Sequence, residues 1–336
     1  MKTRHILSAR QFSRPDLEKL FASADRMKKL VKSRTIPQRN NPDGIAVLFF
    51  EASTRTDSSF QFAAQCLGIP IRYFTRDANV FSSAAKGEML EHTIRIFCNY
   101  PYLKAIVIRH PDDYSAEVAA EVADPFGISI VNGGDGSHEH PTQATLDLYT
   151  MEEKTEKPLS KVNLAVANDI EYSRTIQSLL LLFGLNYHPA EIGICAPPGI
   201  FLPRNLEDEL IREGIRIKVF HSLLDAAMWA DFLYMTRPQI ERVGVGIEDP
   251  EEKKRAIEKQ KERFRDFRIT RHLLEQIPPA CPCKIMHPMP INRRDFNEIT
   301  EDADDHYRCI FYDQAANGLP IRMAFLDELI TNVAYA

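Results

Sequence analysis

The segment Ser53-Thr54-Arg55-Thr56 has the residue types of an anion-binding site, and it lies where the chain passes from a strand to a helix. The apolar run at 45–50 precedes it and predicts a strand buried on both faces. An apolar stripe at helical spacing follows, made by Phe60, Ala63, Ala64 and Leu67. The first N–H groups of such a helix lack partners, and the helix dipole makes that end positive. Hydroxyl groups and a guanidinium added there predict a phosphate site. The alternative is that Ser53 or Thr54 only caps the helix.

Polar side chains also follow five other predicted strands, at the end where each strand stops. Ligands of open α/β sheets bind at the carboxyl ends of the strands. The segments are Arg109-His110-Pro111, the stretch from Gly133 to Gln143, Asn168-Asp169 with Arg174, Thr236-Arg237-Pro238-Gln239, and His287-Pro288-Met289-Pro290. Because these cationic and amide groups would face the same crevice, together they predict a ligand site.

The cluster His138, Glu139 and His140 has more than one interpretation. Two histidines and nearby carboxylates could bind a metal ion, or the histidines could simply be exposed. In the interpretation that we favour, His140 opens a helix on which Gln143 lies about one turn further on the same side. An imidazole beside an amide suits a neutral carbonyl that carries an NH₂ group. We therefore expect no metal ion at this cluster.

The sequence contains no nucleophile elbow, P-loop or G-x-G-x-x-G motif, and the glycines at 133–136 lack dinucleotide spacing. A covalent intermediate and a nicotinamide cofactor are therefore poorly supported, and we expect no cofactor. The polar groups at the strand ends instead indicate fixed donors that stabilise charge on a phosphorylated acyl-type substrate.

Short apolar runs alternate with helical patterns along the chain, which is typical of parallel sheets with helices on both faces. Strands are expected at 45–50, 71–74, 104–109, 128–131, 162–167, 191–195, 215–220, 231–235 and 283–287. Ser13 and Pro15 open a long amphipathic helix before them. The charged, proline-terminated stretch 151–158 is the best domain boundary. It divides the chain into domains at 1–150 and 151–314, and a helix at about 315–336 is expected to pack back on the first.

Composition excludes several classes of protein. The chain has 336 residues, a net charge of −5 and 44% hydrophobic residues, which fits two globular domains and gives no general footprint for nucleic acid or an anionic membrane. The N-terminus lacks the apolar core of a signal peptide, and no apolar run is long enough to span a bilayer. Six scattered cysteines without a zinc or redox spacing predict free thiols in a reducing cytoplasm. The charged stretch from Glu248 to Arg268 predicts a solvated helix or a mobile loop.

The motifs together resemble the aspartate and ornithine carbamoyltransferase family, and within it the catalytic chains that use aspartate. The resemblance covers nearly the whole chain and implies an α/β fold of two Rossmann-like open parallel-sheet domains with a cleft between them. The matching segments are Phe49-Phe50-Glu51-Ala52-Ser53-Thr54-Arg55-Thr56, Lys86-Gly87-Glu88, Arg109-His110-Pro111, His140-Pro141-Thr142-Gln143, Asp169, Tyr172-Ser173-Arg174-Thr175, Met235-Thr236-Arg237-Pro238-Gln239, Glu241-Arg242 and His287-Pro288-Met289-Pro290.

The resemblance implies transfer of a carbamoyl group from carbamoyl phosphate to the amine of L-aspartate, a step of pyrimidine biosynthesis. It also assigns roles to matching residues. The phosphate would be held by Ser53, Thr54, Arg55 and Thr56. The carbonyl oxygen would be polarised by Thr56, Arg109 and His140. The carbamoyl NH₂ group would be held by Gln143 and the backbone of Pro288, with Met289 beside it.

The resemblance also bears on the second substrate and on other chains. Arg174, Arg237 and Gln239 would clamp the amino acid, and two guanidiniums suit two carboxylates better than the extra cation of ornithine. Ser82 and Lys86 would be lent to a neighbouring subunit's phosphate site, which implies a homotrimer with shared sites. Whether regulatory chains bind is left open by the sequence.

Two positions depart from the family pattern. Asp57 stands where the family usually has a second arginine, and a carboxylate about 6 Å from bound phosphate would cost about 2–3 kcal/mol at an effective dielectric near 20. The carboxylate is also rotated round the helix, where Arg55, Arg76 or another cation could pair with it. Ala84 and Ala85 precede Lys86, where the family often has a further lysine. A carbamoyltransferase with another acceptor and an impaired binding or structural subunit therefore remain alternatives.

Overall fold

The computed structural model describes residues 5–75, 86–240, 243 and 245–331 of the chain. The described residues form two compact units, each built around one sheet. The first takes its residues from Met1–Tyr149, Gln177–Leu182 and Ala316–Ala336, and the second from Thr150–Ile176 and Phe183–Ala315.

The first unit contains a four-stranded parallel sheet in the order β2-β1-β3-β4. Its strands are β1 (Gly44–Phe49), β2 (Ile71–Thr75), β3 (Leu103–His110) and β4 (Ser129–Asp135). Every residue of β1 is buried, as expected of a central strand covered on both faces. All four strands lie where the sequence predicts them.

Five helices of this part of the chain precede, connect or follow these strands. They are α1 (Arg14–Ser33), α2 (Thr54–Cys66), α3 (Leu90–Cys98), α4 (Ser115–Ala123) and α5 (Pro141–Lys154). A capping box between Ser13 and Asp16 starts α1, with proline in its first turn. The predicted stripe on α2 is confirmed, because Phe60, Ala63 and Ala64 are fully buried.

The helix near the C-terminus, Gly318–Leu326, packs against α1 and α2. Its Arg322 is buried, with Nη1 2.8 Å from the Ser59 hydroxyl and the guanidinium 5.2 Å from the centre of the Phe60 ring. A Cβ atom at position 318 would lie 2.5 Å from Nη1 of Arg322, so any larger residue there would displace the guanidinium. This contact places a buried cation directly behind α2.

The second unit contains a five-stranded parallel sheet in the order β7-β6-β5-β8-β9. Its strands are β5 (Leu164–Ala167), β6 (Glu191–Cys195), β7 (Arg216–Val219), β8 (Phe232–Met235) and β9 (Lys284–Met286). The helices along this part of the chain are α6 (Arg174–Tyr187), α7 (Arg204–Arg212), α8 (Leu223–Trp229), α9 (Pro250–Phe264), α10 (Arg271–Gln276) and α11 (Phe311–Ala316), and the C-terminal helix Gly318–Leu326 is α12. The prediction of two parallel-sheet α/β units is confirmed.

The charged stretch 248–268 forms the helix α9, which resolves the choice between a helix and a loop. The side chain of Asp249 caps it by accepting a hydrogen bond from the N–H of Glu251. Only Phe264 of this helix is buried, and its ring lies 6.0 Å from that of Phe296. None of the helices in the described ranges combines the length and apolar content that a membrane crossing requires.

Arg308 is the largest fully buried side chain of the described residues. Its guanidinium donates to four backbone carbonyls, those of Ile277, Pro278, Cys281 and Cys283, at distances from 2.7 to 3.4 Å. It therefore fixes the turn that leads into β9.

Candidate functional site

The start of α2 is open to an anion. Ser53 precedes the first helical residue with an extended backbone, and its side chain makes no capping hydrogen bond. The first N–H bond within the helix runs from Asp57 to the carbonyl of Ser53, at 3.4 Å. The N–H groups before it have no partner in the helix, as at any helix start. The interpretation of Ser53 as only a cap is therefore not supported.

Thr54 and Arg55 lie exposed on this first turn, while Thr56 is buried. Partial removal of the Arg55 guanidinium from water lowers its pKa. A guanidinium remains positive at neutral pH even so, and it therefore adds to the positive end of the helix dipole.

Thr56 and His140 come together although they are 84 residues apart in the sequence. The Thr56 hydroxyl lies 3.4 Å from Nε2 of His140, and both side chains are buried. The loop after β4 brings His140 to this position, and the N–H of His140 donates to the Ser178 hydroxyl at 2.9 Å. On the other side of the ring, the Thr142 hydroxyl lies 3.5 Å from Nδ1.

Gly133 lies beside Thr56 and also contacts Arg109, the third predicted donor. A Cβ atom at position 133 would lie 3.5 Å from the methyl group of Thr56 and 3.0 Å from the carbonyl oxygen of Ile108, so only glycine leaves the approach unobstructed. The carbonyl of Gly133 accepts a hydrogen bond from Nη1 of Arg109 at 3.2 Å. Nη2 of Arg109 lies 2.8 Å from Oε2 of Glu51, and the arginine side chain is only 12% exposed. The guanidinium is thus held at the carboxyl end of β3.

Arg109 also lies beside the start of α2. Its carbonyl accepts the N–H of Phe50 at 2.8 Å, and Phe49 of β1 is its partner in the sheet. The carboxyl ends of β1 and β3 are therefore adjacent, as the parallel topology requires. Together with His140 after β4, they gather the predicted carbonyl-polarising residues at one edge of the first sheet.

Gln143 lies one turn after His140 on α5, and its N–H donates to the His140 carbonyl at 3.0 Å. Its side-chain Nε2 donates to Oδ1 of Asp147 at 2.8 Å, and both residues are buried. Gln143 was predicted from the sequence, whereas Asp147 was not. The available signal was a carboxylate four residues further along the same helix.

Asp57 does not occupy the anion end of α2. Its carboxylate is fully buried and accepts a hydrogen bond from Nε2 of Gln61, one turn further along the helix. The side chain is therefore engaged away from the opening turn. The expected pairing with Arg76 lies outside the described residues.

The trio His138, Glu139 and His140 does not form the metal cluster considered from the sequence. Both carboxylate oxygens of Glu139 accept hydrogen bonds, one from the Ser8 hydroxyl at 2.5 Å and the other from the N–H of Ala9 at 2.7 Å. His140 faces Thr56, as described above. His138 turns instead to Asp135, 3.2 Å away, and lies over the ring of Tyr114. The three side chains have separate surroundings.

A different trio within the described ranges, Glu117, Asp135 and His138, brings its potential ligand atoms within 4.8 Å of one another. Burial alone would lower the pKa of His138, but the hydrogen bond to Asp135 and the nearby carboxylates raise it overall. Burial, aided by the charge of Asp135, raises the pKa of Glu117. A proton on His138 competes with a metal ion for the same nitrogen, so the raised pKa works against metal binding by this trio.

The remaining residues assigned to the phosphate are at the edge of the described region or beyond it. Lys86 opens the described stretch that follows residue 75 and is exposed. Ser82 lies outside the described residues, as do Glu241 and Arg242 of the second-half motifs.

In the second unit, Asp169 organises the carboxyl ends of β5 and β8, which are neighbours in the sheet. Its Oδ2 accepts the N–H of Gln239 at 2.9 Å, and its carbonyl accepts the Thr236 hydroxyl at 3.2 Å. The side-chain Nε2 of Gln239 donates to the carbonyl of Tyr172 at 2.9 Å. The loop after β8 is therefore tied to the loop after β5.

The two predicted substrate arginines stand on these tied segments. Arg174 is the first residue of α6, after the capping side chain of Ser173, and Arg237 lies two residues after β8. Both are half-buried. The structure thus brings Arg174, Arg237 and Gln239 to adjacent strand ends of the second sheet.

The segment His287–Pro290 follows β9, the strand next to β8. Nδ1 of His287 accepts the N–H of Met289 at 2.8 Å, so the ring proton lies on Nε2, which is 3.2 Å from Oε1 of the buried Glu298. Met289 has a positive φ of 60°, a conformation that this histidine contact holds in place. The backbone of Pro288 is thereby fixed. Glu298 was not identified from the sequence, because its position beside His287 depends on the fold of the loop.

Comparison with known proteins covers both units. Residues 4–153 match the family model described as aspartate/ornithine carbamoyltransferase, carbamoyl-P binding domain, and residues 160–329 match the Asp/Orn binding domain of the same family. The chain is 37% identical over 325 residues to a protein named aspartate carbamoyltransferase catalytic subunit from Methanosarcina mazei, covering 97% of this chain and 96% of the relative.

Solved structures give the same result. Aspartate transcarbamoylase from Trypanosoma cruzi in complex with carbamoyl phosphate and aspartate superposes with a TM-score of 0.82 at 30% identity, over 97% of this chain and 95% of the other. The same enzyme with N-(phosphonacetyl)-L-aspartic acid gives a TM-score of 0.82 at 31% identity, with 97% and 95% covered. The catalytic subunit of M. jannaschii aspartate transcarbamoylase gives 0.80 at 32%, over 98% of each chain.

Proposed function

Because the chain belongs to the aspartate/ornithine carbamoyltransferase family, we propose that it transfers the carbamoyl group of carbamoyl phosphate to the amine of L-aspartate. The products are N-carbamoyl-L-aspartate, a precursor of pyrimidines, and phosphate. The observation that carries the proposal is the convergence of Thr56, His140 and Arg109 around Gly133, beside the open start of α2. The motif resemblance to the family is confirmed by the matches to both domains.

Residues 1–150 and the C-terminal helix form the carbamoyl-phosphate-binding domain in this proposal, and residues 151–314 form the aspartate-binding domain. The phosphate lies at the start of α2, where it accepts from the first N–H groups, the hydroxyls of Ser53, Thr54 and Thr56, and the Arg55 guanidinium. The uncapped side chain of Ser53 supports this placement.

The chemical step is attack of the aspartate amine on the carbonyl carbon. Negative charge grows on the carbonyl oxygen as the C–N bond forms, and then the C–O bond to phosphate breaks. Thr56, Arg109 and His140 donate to that oxygen, and because they are already held in place they need little reorganisation. The departing phosphate takes the proton that the attacking amine loses, and it leaves as the hydrogen phosphate dianion from the helix start.

The other end of the carbamoyl group is held by Gln143 and by the carbonyl of Pro288, with Met289 beside it. The amide and the backbone carbonyl both offer acceptors to the NH₂ group. His287 supports the second acceptor through its hydrogen bond with the N–H of Met289.

Arg174, Arg237 and Gln239 bind the two carboxylates of aspartate. Their positions at adjacent strand ends support this assignment, and the guanidinium fork suits a carboxylate. The Trypanosoma cruzi enzyme, with which the chain shares its fold, has been solved with aspartate bound. The same arginines disfavour a cationic acceptor such as ornithine.

The active assembly is a homotrimer in which Ser82 and Lys86 complete the phosphate site of a neighbouring subunit. Exposed apolar side chains support a subunit contact on this side: Phe62 of α2, Phe74 of β2 and Met89 are 59%, 54% and 55% exposed. Sedimentation should give a trimer. Mixing two inactive variants, Lys86→Gln and His140→Ala, should restore about a quarter of wild-type activity, since each mixed trimer then regains one intact site in a closed ring. No restoration would contradict shared sites.

The proposed activity is tested by phosphate release from carbamoyl phosphate with a panel of amino acids, each at equal concentration. Release should depend on L-aspartate, and the product should be N-carbamoyl-L-aspartate by mass. Preference for ornithine would overturn the assignment of the two arginines. Fractionation of cells should place the protein in the cytoplasm, where this biosynthetic step is expected.

The alternative of an impaired binding subunit rested on Asp57 and on the replaced lysine before Lys86. The Asp57 carboxylate is buried and bonded to Gln61 rather than directed at the helix start, so the first ground has no support. Ala84 and Ala85, which carry the second ground, lie outside the described residues. Tight binding of N-(phosphonacetyl)-L-aspartic acid without turnover of the natural substrates would revive it.

A further inference from the structure

The side-chain amide of Gln143 has a fixed direction. Its Nε2 lies 2.8 Å from Oδ1 of Asp147, and the two residues are 9% and 0% exposed. An ionised carboxylate has only acceptor atoms, so it must face the NH₂ end of the amide and not the oxygen end. The Oε1 atom of Gln143 is then the end left for another partner.

Arg322 interacts electrostatically with this carboxylate. Its guanidinium is almost fully buried, with Asp147 as the carboxylate that acts on it electrostatically. Burial lowers the pKa of Arg322 to about 10. The charge of Asp147 opposes this shift, and the charge of Arg55 adds to it. The arginine is therefore still a cation at neutral pH. An opposite charge inside a protein favours the charged form of a carboxylate, and a charged carboxylate only accepts hydrogen bonds.

We propose that Asp147 is a positioning residue that holds the Gln143 amide with Oε1 toward the substrate, so that the site accepts from a carbamoyl NH₂ group and discriminates against acyl phosphates that lack one. The inference rests on the proposed function and adds the group that sets its acyl specificity. Without Asp147, the amide could turn and present its own NH₂ to the NH₂ of the substrate. Two donors would then face each other, and one hydrogen bond would be lost.

The substitution Asp147→Asn tests this most sharply. The charge of Arg322 acts at position 147 and attracts the oxygen end of an amide, so the introduced side chain turns its oxygen toward the cation and its NH₂ toward Gln143. Gln143 must then offer Oε1 to that NH₂ group, which reverses its own amide at the substrate end. A nearly isosteric change thus inverts the polarity of the acyl site and leaves a side chain of the same size in place.

The assay compares carbamoyl phosphate with acetyl phosphate, in which a methyl group replaces NH₂. We expect Asp147→Asn to lower kcat/KM for carbamoyl phosphate about tenfold, the loss of roughly one buried hydrogen bond. The inhibition constant of acetyl phosphate against carbamoyl phosphate should change less than about twofold, because a methyl group makes no hydrogen bond to Gln143. In a Gln143→Ala background, Asp147→Asn should leave the ratio of the two constants unchanged, since the residue acts only through Gln143.

Asp25→Asn is the matched control. Asp25 also accepts a hydrogen bond from a side chain of α5, the hydroxyl of Tyr149, at 2.6 Å. This substitution should leave both constants, kcat/KM for carbamoyl phosphate and the inhibition constant of acetyl phosphate, in their wild-type ratio. If Asp147→Asn does not fold because Arg322 loses its counter-charge, the double variant Asp147→Asn with Arg322→Met removes both charges. Its Asn can face Gln143 with either end, so the Gln143 amide is no longer held in one orientation and the ratio should still fall, by about twofold to threefold.

Equal losses for both acyl phosphates, or an unchanged ratio in a folded variant, would overturn the proposal. Those outcomes differ from failure of the proposed function, in which the wild-type protein itself would release no phosphate with L-aspartate.

Discussion

Replacing Arg109 by methionine should separate catalysis from stability. Nη1 of Arg109 donates to the Gly133 carbonyl at 3.2 Å and Nη2 contacts Glu51 at 2.8 Å, but the Glu51 side chain is 43% exposed. An exposed ion pair contributes about 0.2–1 kcal/mol, and the hydrogen bond to Gly133 adds about 1 kcal/mol. The free energy of unfolding should therefore fall by only about 1–2 kcal/mol.

The catalytic effect of the same change should be larger. Loss of one fixed donor to a developing oxyanion typically costs a factor of about 10²–10³ in kcat, which is about 2.7–4 kcal/mol. KM values for both substrates should stay within about threefold, because the interaction strengthens mainly in the transition state. Arg109→Lys should recover part of the loss, since it keeps the charge without the planar fork.

The measurements are steady-state phosphate release and urea unfolding on the same preparations. Arg14→Met is the matched control, because Arg14 forms an exposed ion pair with Glu18 on α1, at 3.0 Å, away from the strand ends. It should leave kcat at the wild-type value. The reasoning is refuted if folded Arg109→Met retains kcat within about fivefold, or if its inactivity is explained by a loss of several kcal/mol in unfolding free energy.

Three other changes test the electrostatics of the fold by urea unfolding. Asp57→Arg should lower the unfolding free energy by about 3–5 kcal/mol, because it buries an unpaired cation. Adding Gln61→Glu should recover at least half of that loss by supplying a partner one turn away. No recovery would contradict the burial of position 57. His138→Gln should flatten the pH dependence of the unfolding free energy. Asp135 raises the pKa of His138 in the folded state, so the protonated histidine stabilises the protein at pH 6, and this stabilisation is lost as the pH rises through the raised pKa. The wild type should therefore lose more stability than the variant between pH 6 and 8. The opposite order would show that the pKa is not raised. Arg308→Met should cost about 3–5 kcal/mol, because it leaves four backbone carbonyls without their donor, two of them in buried hydrogen bonds. A cost under about 1 kcal/mol would count against that role.

The strands could be predicted from the sequence because their apolar runs are local and bounded by polar residues. The run 191–195 coincides with β6, and 45–50 differs from β1 by one residue at each end. Topology then placed chemistry at the carboxyl ends, since parallel strands all end at the same edge. That rule alone is enough to bring Arg109 beside the start of α2.

Contacts between distant parts of the chain could not be predicted in this way. Arg322 reaches Ser59 across 263 residues, and no local pattern marks that pairing. The hydroxyl of Ser178 supports both His140 and Glu139, so a piece of α6 belongs to the first unit although its sequence lies beyond the expected boundary. These contacts depend on how the elements pack, which the hydrophobic pattern does not specify.

Asp57 shows where distance along the sequence misleads. It is only one residue from Thr56, which left two expectations open: repulsion of bound phosphate, or a carboxylate rotated round the helix toward another partner. The helix turns by about 100° per residue, however, and carries the carboxylate to the buried side, where Gln61 donates to it. A helical position must therefore be judged by the side of the helix on which it lies.

The central claim is that the first turn of α2 and the trio Thr56, Arg109 and His140 bind the phosphate and the carbonyl oxygen of one substrate. The most direct test is a crystal structure of the chain with N-(phosphonacetyl)-L-aspartic acid. We expect the phosphonate on the N–H groups of residues 54–56 and the acetyl oxygen within hydrogen-bond distance, about 3 Å, of all three side chains. A phosphonate bound elsewhere, or an Asp57 carboxylate turned into the first turn of α2, would contradict the proposed site.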